Sequence, residues 1–185
     1  QFFSNTLSES GLSLTANANM ITKVYFPRII LPTTSMIVSC IDFLISFAML
    51  CVLMIWYGFF PDAKILVLPV LLLFSALTSL GAGYWISALN VTYRDFRYIV
   101  PFLIQFGLYI SPVGFSSDVV PEKWRLLYSL NPMVGVIDGF RWALLGKDTD
   151  LYLPGFILSV CITLTLFISG ARFFYKTERK FADII

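Results

Sequence analysis

The chain has 185 residues, of which 58% are hydrophobic and only 13% are charged, with a net charge of +2 and a mean hydropathy of +0.82. A soluble domain of this length cannot cover so apolar a chain with polar surface, and a disordered chain requires the opposite composition. The sequence contains no histidine, which excludes His-dependent catalysis and His metal sites, and its low net charge gives no nucleic-acid footprint. These properties predict an integral membrane protein.

Residues 1–16 mix apolar side chains with serines and one acid, Glu9. The chain opens at Gln1, without a methionine and in the middle of this pattern. We expect residues 1–16 to be the end of a membrane span. They would belong to one transmembrane domain, residues 1–185, that is truncated at its N-terminus.

Residues 17–30 connect this segment to the next apolar run. They combine apolar side chains with two cations and end near Pro27, a pattern typical of an amphipathic helix on a membrane surface. Two interpretations fit: an anchor attracted to anionic lipid, or a helix that docks on a cytosolic partner. The docking interpretation selects Asn19, Met20, Ile21, Lys23, Val24, Tyr25 and Arg28.

Long stretches without charge mark the membrane spans. A helix needs about 20 apolar residues to cross roughly 30 Å of hydrocarbon. The sequence predicts four full spans in an all-α, polytopic helical bundle. They cover residues 33–57, 66–89, 98–114 and 152–172.

Asp42 places a carboxylate about one-third of the way into the first full span. Because an ionised group is costly in lipid, we expect this side chain to face protein or water, or to be protonated. A buried structural aspartate and a member of a proton relay are the two interpretations.

Aromatic residues are candidates for a transport path. Tyr84 and Trp85 lie near one end of the second full span, and Phe102, Phe106 and Tyr109 are spaced to share one helix face. Packing between helices is the first interpretation. The second is stacking on sugar rings, whose C–H faces suit aromatic surfaces.

Residues 126–146 are apolar, but Asn131–Pro132 interrupt them and they carry Asp138 and Arg141. A lipid-facing span should not hold two ionised groups, so we expect two re-entrant helices packed against protein. The spacing of Asp138 and Arg141 predicts a helical ion pair.

The distribution of basic residues sets the orientation in the membrane. Residues 17–30, the loop Tyr93–Arg97 and the tail 173–185 lie on one side, which carries an excess of bases. The opposite side is nearly neutral. The basic side is therefore predicted to face the cytoplasm.

Six segments in order carry a resemblance to a known family over essentially the whole chain: KVYFPR, YRDFR, SPVGF, VPEKWR, LNPMVGVIDGFRWALLG and TERKFADII. The chain resembles the permease subunits of the ABC-type polysaccharide and polyol-phosphate exporters, and among them the O-antigen exporter permeases. The family has six spans, so about four full spans and a truncated one would be present here, with the re-entrant helices before the last span.

The resemblance implies a multi-pass protein of the cytoplasmic (inner) membrane. It implies a homodimer docked on a separate ATP-binding cassette ATPase, with the coupling helix on residues 17–30 and a lipid-linked glycan passing outwards between the two copies. ATP and Mg²⁺ are expected on the ATPase, because this sequence has no GxxxxGK[ST] motif. We therefore expect a transport subunit, without a cofactor or metal of its own, and not an enzyme.

Other functions are weighed against this one. A membrane-embedded enzyme requires clustered acids or metal ligands, and a secondary transporter requires ionisable groups at mid-membrane together with inverted repeats; the sequence favours neither. The alternatives that stay open are a polyol-phosphate (teichoic acid) exporter and a drug or small-molecule ABC exporter.

Overall fold

The computed structural model describes residues 1–24, 26–59, 62–93, 95–146 and 151–184, with side chains through residue 178. This part of the chain contains α-helices, two short 3-10 helices and turns, but no strand. The predicted all-α fold is confirmed. The helices are α1 (Phe2–Ala16), α2 (Ala18–Lys23), α3 (Ile30–Trp56), α4 (Leu68–Thr92), α5 (Phe96–Ile110), α6 (Glu122–Tyr128), α7 (Pro132–Leu145) and α8 (Leu153–Ile184).

Three segments within the described chain are long and apolar enough to cross a membrane: Ile30–Trp56, Ala63–Thr92 and Leu153–Glu178. They lie where the sequence predicts the first, second and fourth full spans. α8 does not stop at the end of its apolar part but continues to Ile184, so the predicted tail begins inside this helix. The chain is an integral membrane protein.

The helix at the third predicted span, 98–114, is shorter than expected. α5 ends at Ile110 and has 15 residues, about 22 Å in length against roughly 30 Å of hydrocarbon. Ser111 is extended because Pro112 follows it, and a proline disfavours the helical conformation in the residue before it. α5 therefore ends four residues before the predicted span does, and the number of full spans stays a prediction.

The predicted break in the segment 126–146 divides two helices, α6 and α7. Pro132 occupies the first turn of α7, where a backbone N–H would make no hydrogen bond within the helix, so proline is tolerated there. The side chain of Asn131 caps α7, since its Oδ1 accepts a hydrogen bond from the backbone N–H of Met133 at 3.1 Å. α6 begins at Glu122, four residues before the predicted segment.

α4 is the central helix of the bundle and packs against α8, α1, α7 and α3. Small residues allow its close approach to α8. A Cβ atom added to Gly81 would lie 2.7 Å from the backbone nitrogen of Phe167, a distance that a side chain cannot occupy. Nearby, the hydroxyls of Thr78 and Thr163 are 2.8 Å apart. Small side chains and inter-helix hydrogen bonds are the usual means of packing helices within membranes.

Two clusters of buried apolar residues occupy opposite ends of the bundle. The first joins α2 to α1, α3, α4 and α8, and we call this end the α2 end. The second joins the start of α4 to α7, at the α7 end. The first cluster contains Leu14, Ile21, Leu31, Leu80, Tyr84, Ala88, Val91 and Phe174, and the second contains Leu68, Leu71 and Ala143.

Asp42 lies on α3 with its side chain exposed on the surface of the chain. The hydroxyl of Ser46 donates to the backbone carbonyl of Asp42, at 2.9 Å, and not to its carboxylate. The interpretation of Asp42 as a buried structural aspartate is therefore wrong. α3 packs against α1 and α4, and the Asp42 side chain lies on the side of α3 that these two helices leave exposed.

Candidate coupling surface and transport path

The predicted coupling segment, 17–30, forms a helix over only part of its length. α2 ends at Lys23, and Val24 is extended (φ −129°, ψ 130°). Pro27 disfavours the helical conformation in Phe26, the residue before it, so residues 17–30 cannot form one continuous helix. The predicted docking residue Tyr25 lies outside the described residues.

α2 exposes one apolar face and buries the other. Met20 is 42% exposed and Val24 is 57% exposed, whereas Ile21 is only 7% exposed. Asn19 and Lys23 are also exposed. Met20 and Val24 are four residues apart in sequence and form the apolar part of what we call the α2 surface.

Ile21 packs into the cluster at the α2 end and fixes α2 to the bundle. Its side chain is covered by this chain, so it is not available to a partner, which corrects the prediction that it docks. The reason is periodicity: Ile21 follows Met20 by about 100° around the helix, so the two side chains point to different sides of α2, and only the side of Ile21 is covered.

Arg28 also has a partner inside the chain. Its backbone N–H donates to Glu178 Oε1 at 3.1 Å, and its Nη1 donates to the backbone carbonyl of Glu178 at 2.6 Å. Arg28 therefore links the coupling segment to α8, and its predicted role in docking stays a prediction. Sequence analysis missed Glu178, because the two residues are 150 positions apart and no local pattern connects them.

We expect Arg28→Ala to loosen the α2 end of α8. Alanine removes the bond from the guanidinium to the Glu178 carbonyl but keeps the backbone bond to Oε1. The loss of this partly exposed bond costs about 1 kcal/mol, so amide exchange at residues 173–178 should accelerate about fivefold. Hydrogen exchange in nanodiscs measures this change. The matched control is Arg97→Ala, which removes an exposed arginine from α5. Equal exchange rates in wild type and Arg28→Ala would show that the link is not maintained in the membrane.

Tyr84 and Trp85, two of the five predicted path residues, pack α4 against its neighbours. Tyr84 is buried, and its hydroxyl lies 3.0 Å from the Thr33 hydroxyl of α3. The Trp85 ring stacks on Phe173 at 4.1 Å, and its Nε1 donates to Ser169 at 3.2 Å. The helix-packing interpretation holds for both residues in this chain.

The other three predicted path residues lie together on α5. Phe102 and Phe106 stack with ring centroids 5.7 Å apart, and Tyr109 continues the same face one turn further on. More than half of each of these three side chains is exposed. We call Phe102, Phe106 and Tyr109 the aromatic face of α5. It is the part of the predicted path that no other helix of the described chain covers.

A polar cluster lies at the α7 end, beside the last turn of α5. Asp138 Oδ1 accepts a hydrogen bond from Ser117 at 2.7 Å, and Arg141 Nη1 lies 3.9 Å from the same oxygen. The predicted ion pair between Asp138 and Arg141 is confirmed. Burial raises the pKa of Asp138, while the Ser117 hydrogen bond and the Arg141 charge act in the opposite direction.

The described residues contain no group of three or more acids or cysteines placed to hold a metal ion. The features with a functional geometry are an exposed helix at one end of the bundle and an exposed aromatic face on a helix that leads to the other end.

Comparison with known families agrees with this arrangement. The family model described as "ABC-2 type transporter" matches residues 1–145. The chain belongs to the ABC-2 type transporter family. The predicted family relationship is confirmed, and the chain is a membrane subunit of a transporter.

Individual relatives of this ABC-2 permease are similar over its whole length. It is 27% identical to the O-antigen export system permease protein RfbA of Klebsiella pneumoniae, an alignment that covers 100% of this chain and 71% of the relative. It is 30% identical to the protein of the same name in Myxococcus xanthus, again over 100% of this chain and 71% of the relative.

Proposed function

We propose that the chain is the permease subunit of an ATP-driven exporter that moves a lipid-linked polysaccharide of the O-antigen type across the cytoplasmic membrane. The observation that carries this proposal is similarity over the whole chain to permeases named for O-antigen export. The exposed aromatic face of α5 supports it, because aromatic rings stack on the C–H faces of sugars.

In this proposal the α2 surface binds a cytosolic ATP-binding cassette subunit, which holds ATP and Mg²⁺. Met20 and Val24 would supply the apolar contacts, with Asn19 and Lys23 at their edge. The α2 end faces the cytoplasm, since the basic residues of the chain concentrate there. Closure of the ATPases would reach the bundle as a rigid-body movement of α2, which Ile21 anchors in the buried cluster at the α2 end.

Two copies of the chain would enclose the path, with the aromatic face of α5 turned towards it. A polar glycan cannot cross hydrocarbon, so the path has to be hydrated and lined by protein. Phe102, Phe106 and Tyr109 would hold successive sugars weakly, because conduction requires release as well as binding.

Alanine at Phe106 and Tyr109 should lower export without lowering the amount of permease. Each aromatic stack contributes about 1 kcal/mol, so the single variants should export about fivefold less and the double variant less than either. The measurement is surface glycan per permease, in cells that lack their own permease but contain the ATPase and the glycan pathway.

The matched control is Leu108→Ala, which shortens an exposed apolar residue elsewhere on α5. Normal export per molecule combined with a reduced protein level would assign the aromatic face to helix packing. Export of a polyol phosphate or of a small drug, with no glycan at the surface, would replace the proposed substrate class by one of the alternatives.

A further inference from the structure

α5 is weakly anchored by apolar contacts. Of its fifteen residues only Val100, in the first half of the helix, is buried. Among the described helices it packs mainly against α1 and α4. Since apolar burial does not fix the half that carries Phe106 and Tyr109, other interactions have to determine where this half lies.

Those interactions come from α7, through the residues that follow α5. Arg141 Nη1 donates to the backbone carbonyl of Phe115 at 2.7 Å, and Nη2 donates to that of Val113 at 3.1 Å. The planar fork of a guanidinium is suited to holding two acceptors in a fixed geometry, which a lysine cannot reproduce. One side chain of α7 therefore holds two points of the turn after α5.

A second pair of contacts keeps Arg141 in place. Asp138, one helical turn earlier, lies beside the guanidinium and also accepts the hydrogen bond from Ser117. Both charged side chains are about three-quarters covered, so solvent screens their interaction less than it screens an exposed pair. α6 adds one further bond, from the Tyr128 hydroxyl to the carbonyl of Ile110, the last residue of α5, at 2.7 Å.

We infer that Arg141 is a positioning residue for transport: it holds the end of α5 against α7 and thereby fixes the aromatic face in the path. The inference rests on the proposed function for its role in export, but its geometric part is independent of the substrate. Arg141 contacts no transported molecule in this account. It acts through the turn that joins α5 to α6.

Distance measurements between α5 and α7 test the geometric part. Spin labels at exposed positions Leu108 and Leu145 report on the two helices, in a chain whose Cys40, Cys51 and Cys161 are replaced. In nanodiscs, Arg141→Ala should broaden the distance distribution. Arg141→Lys should broaden it less, because it retains the charge beside Asp138 but donates to the turn at one point.

Export tests the functional part. Arg141→Ala should lower export per permease about fivefold, with partial rescue in Arg141→Lys, whereas the amount of folded permease stays unchanged. If Arg141→Ala does not accumulate in the membrane, Asp138→Asn takes its place in the export measurement. This variant keeps the shape of the Asp138 side chain and removes the charge that orients Arg141.

The matched control is Lys64→Ala. Lys64 Nζ donates to the carbonyl of Gly146 at 2.9 Å and lies over the Trp142 ring, so it is another cation bonded to a carbonyl at the same end of the bundle. It makes no contact with the turn after α5. An unchanged distance distribution in Arg141→Ala, or equal broadening in Lys64→Ala, would overturn the inference. If the distance distribution broadens in Arg141→Ala but the wild type exports no glycan, the geometric part of the inference stands and the proposed function is rejected.

Discussion

Aspartate at both Met20 and Val24 is expected to separate the permease from the proposed ATPase partner while leaving the bundle folded. The two side chains form the exposed apolar part of the α2 surface and make no contribution to the buried cluster at the α2 end. Interface residues of this kind contribute more than 1 kcal/mol each, so the double variant should bind the ATPase about a hundredfold more weakly. Co-purification and glycan-stimulated ATP turnover measure the loss.

Two comparisons make this result specific. The variant Met20→Leu with Val24→Ile keeps both positions apolar and should retain binding. Ile21→Asp places a charge in the buried cluster, so it should lower the amount of folded permease and not only its binding. Normal co-purification of the double aspartate variant would exclude α2 as the docking site.

Valine at Gly81 is expected to have the largest effect on folding. An added Cβ would meet backbone atoms of Leu166 and Phe167, and backbone cannot move aside as the end of a flexible side chain can. Overpacking of this kind costs about 1–3 kcal/mol, which should lower the Tm in nanodiscs by roughly 3–10 °C. The cause is separation of α4 from α8, the most extensive helix contact of the bundle.

Gly107→Ala is the control for Gly81. A Cβ at Gly107 meets nothing within 4 Å, and alanine favours a helix over glycine by about 1 kcal/mol. This variant should therefore be as stable as wild type or more so. A Tm for Gly81→Val equal to that of wild type would show that α4 and α8 do not approach this closely in the membrane.

Properties that depend on neighbouring residues in sequence were predictable. The break between α6 and α7 follows from Asn131–Pro132, because a cap and a helix-start proline act locally. The ion pair of Asp138 and Arg141 follows from a spacing of three residues on one helix. The end of α5 was misplaced by four residues, since apolar residues continue past Ile110 while Ser111–Pro112 already turn the backbone.

The choice among aromatic residues was not predictable from spacing. Tyr84 and Phe106 are both aromatic, and both lie on long uncharged stretches. Only the arrangement of helices decides that Tyr84 is buried beside Thr33 while Phe106 is exposed on α5. The same holds for Ile21 and Met20, adjacent residues whose roles differ because one helix face is covered.

The sequence by itself determined that this is an all-α membrane protein, where its apolar helices lie and to which family it belongs, because these follow from composition, charge spacing and local motifs. The tertiary structure decided which side chains are free to act. It joined Arg28 to Glu178, and Arg141 to the carbonyls after α5. The sequence does not indicate these pairs, because every residue has a backbone carbonyl. Which carbonyl accepts the bond depends on where the fold places it. The proposed function depends on such positions, because in that proposal the permease acts through movements of its helices.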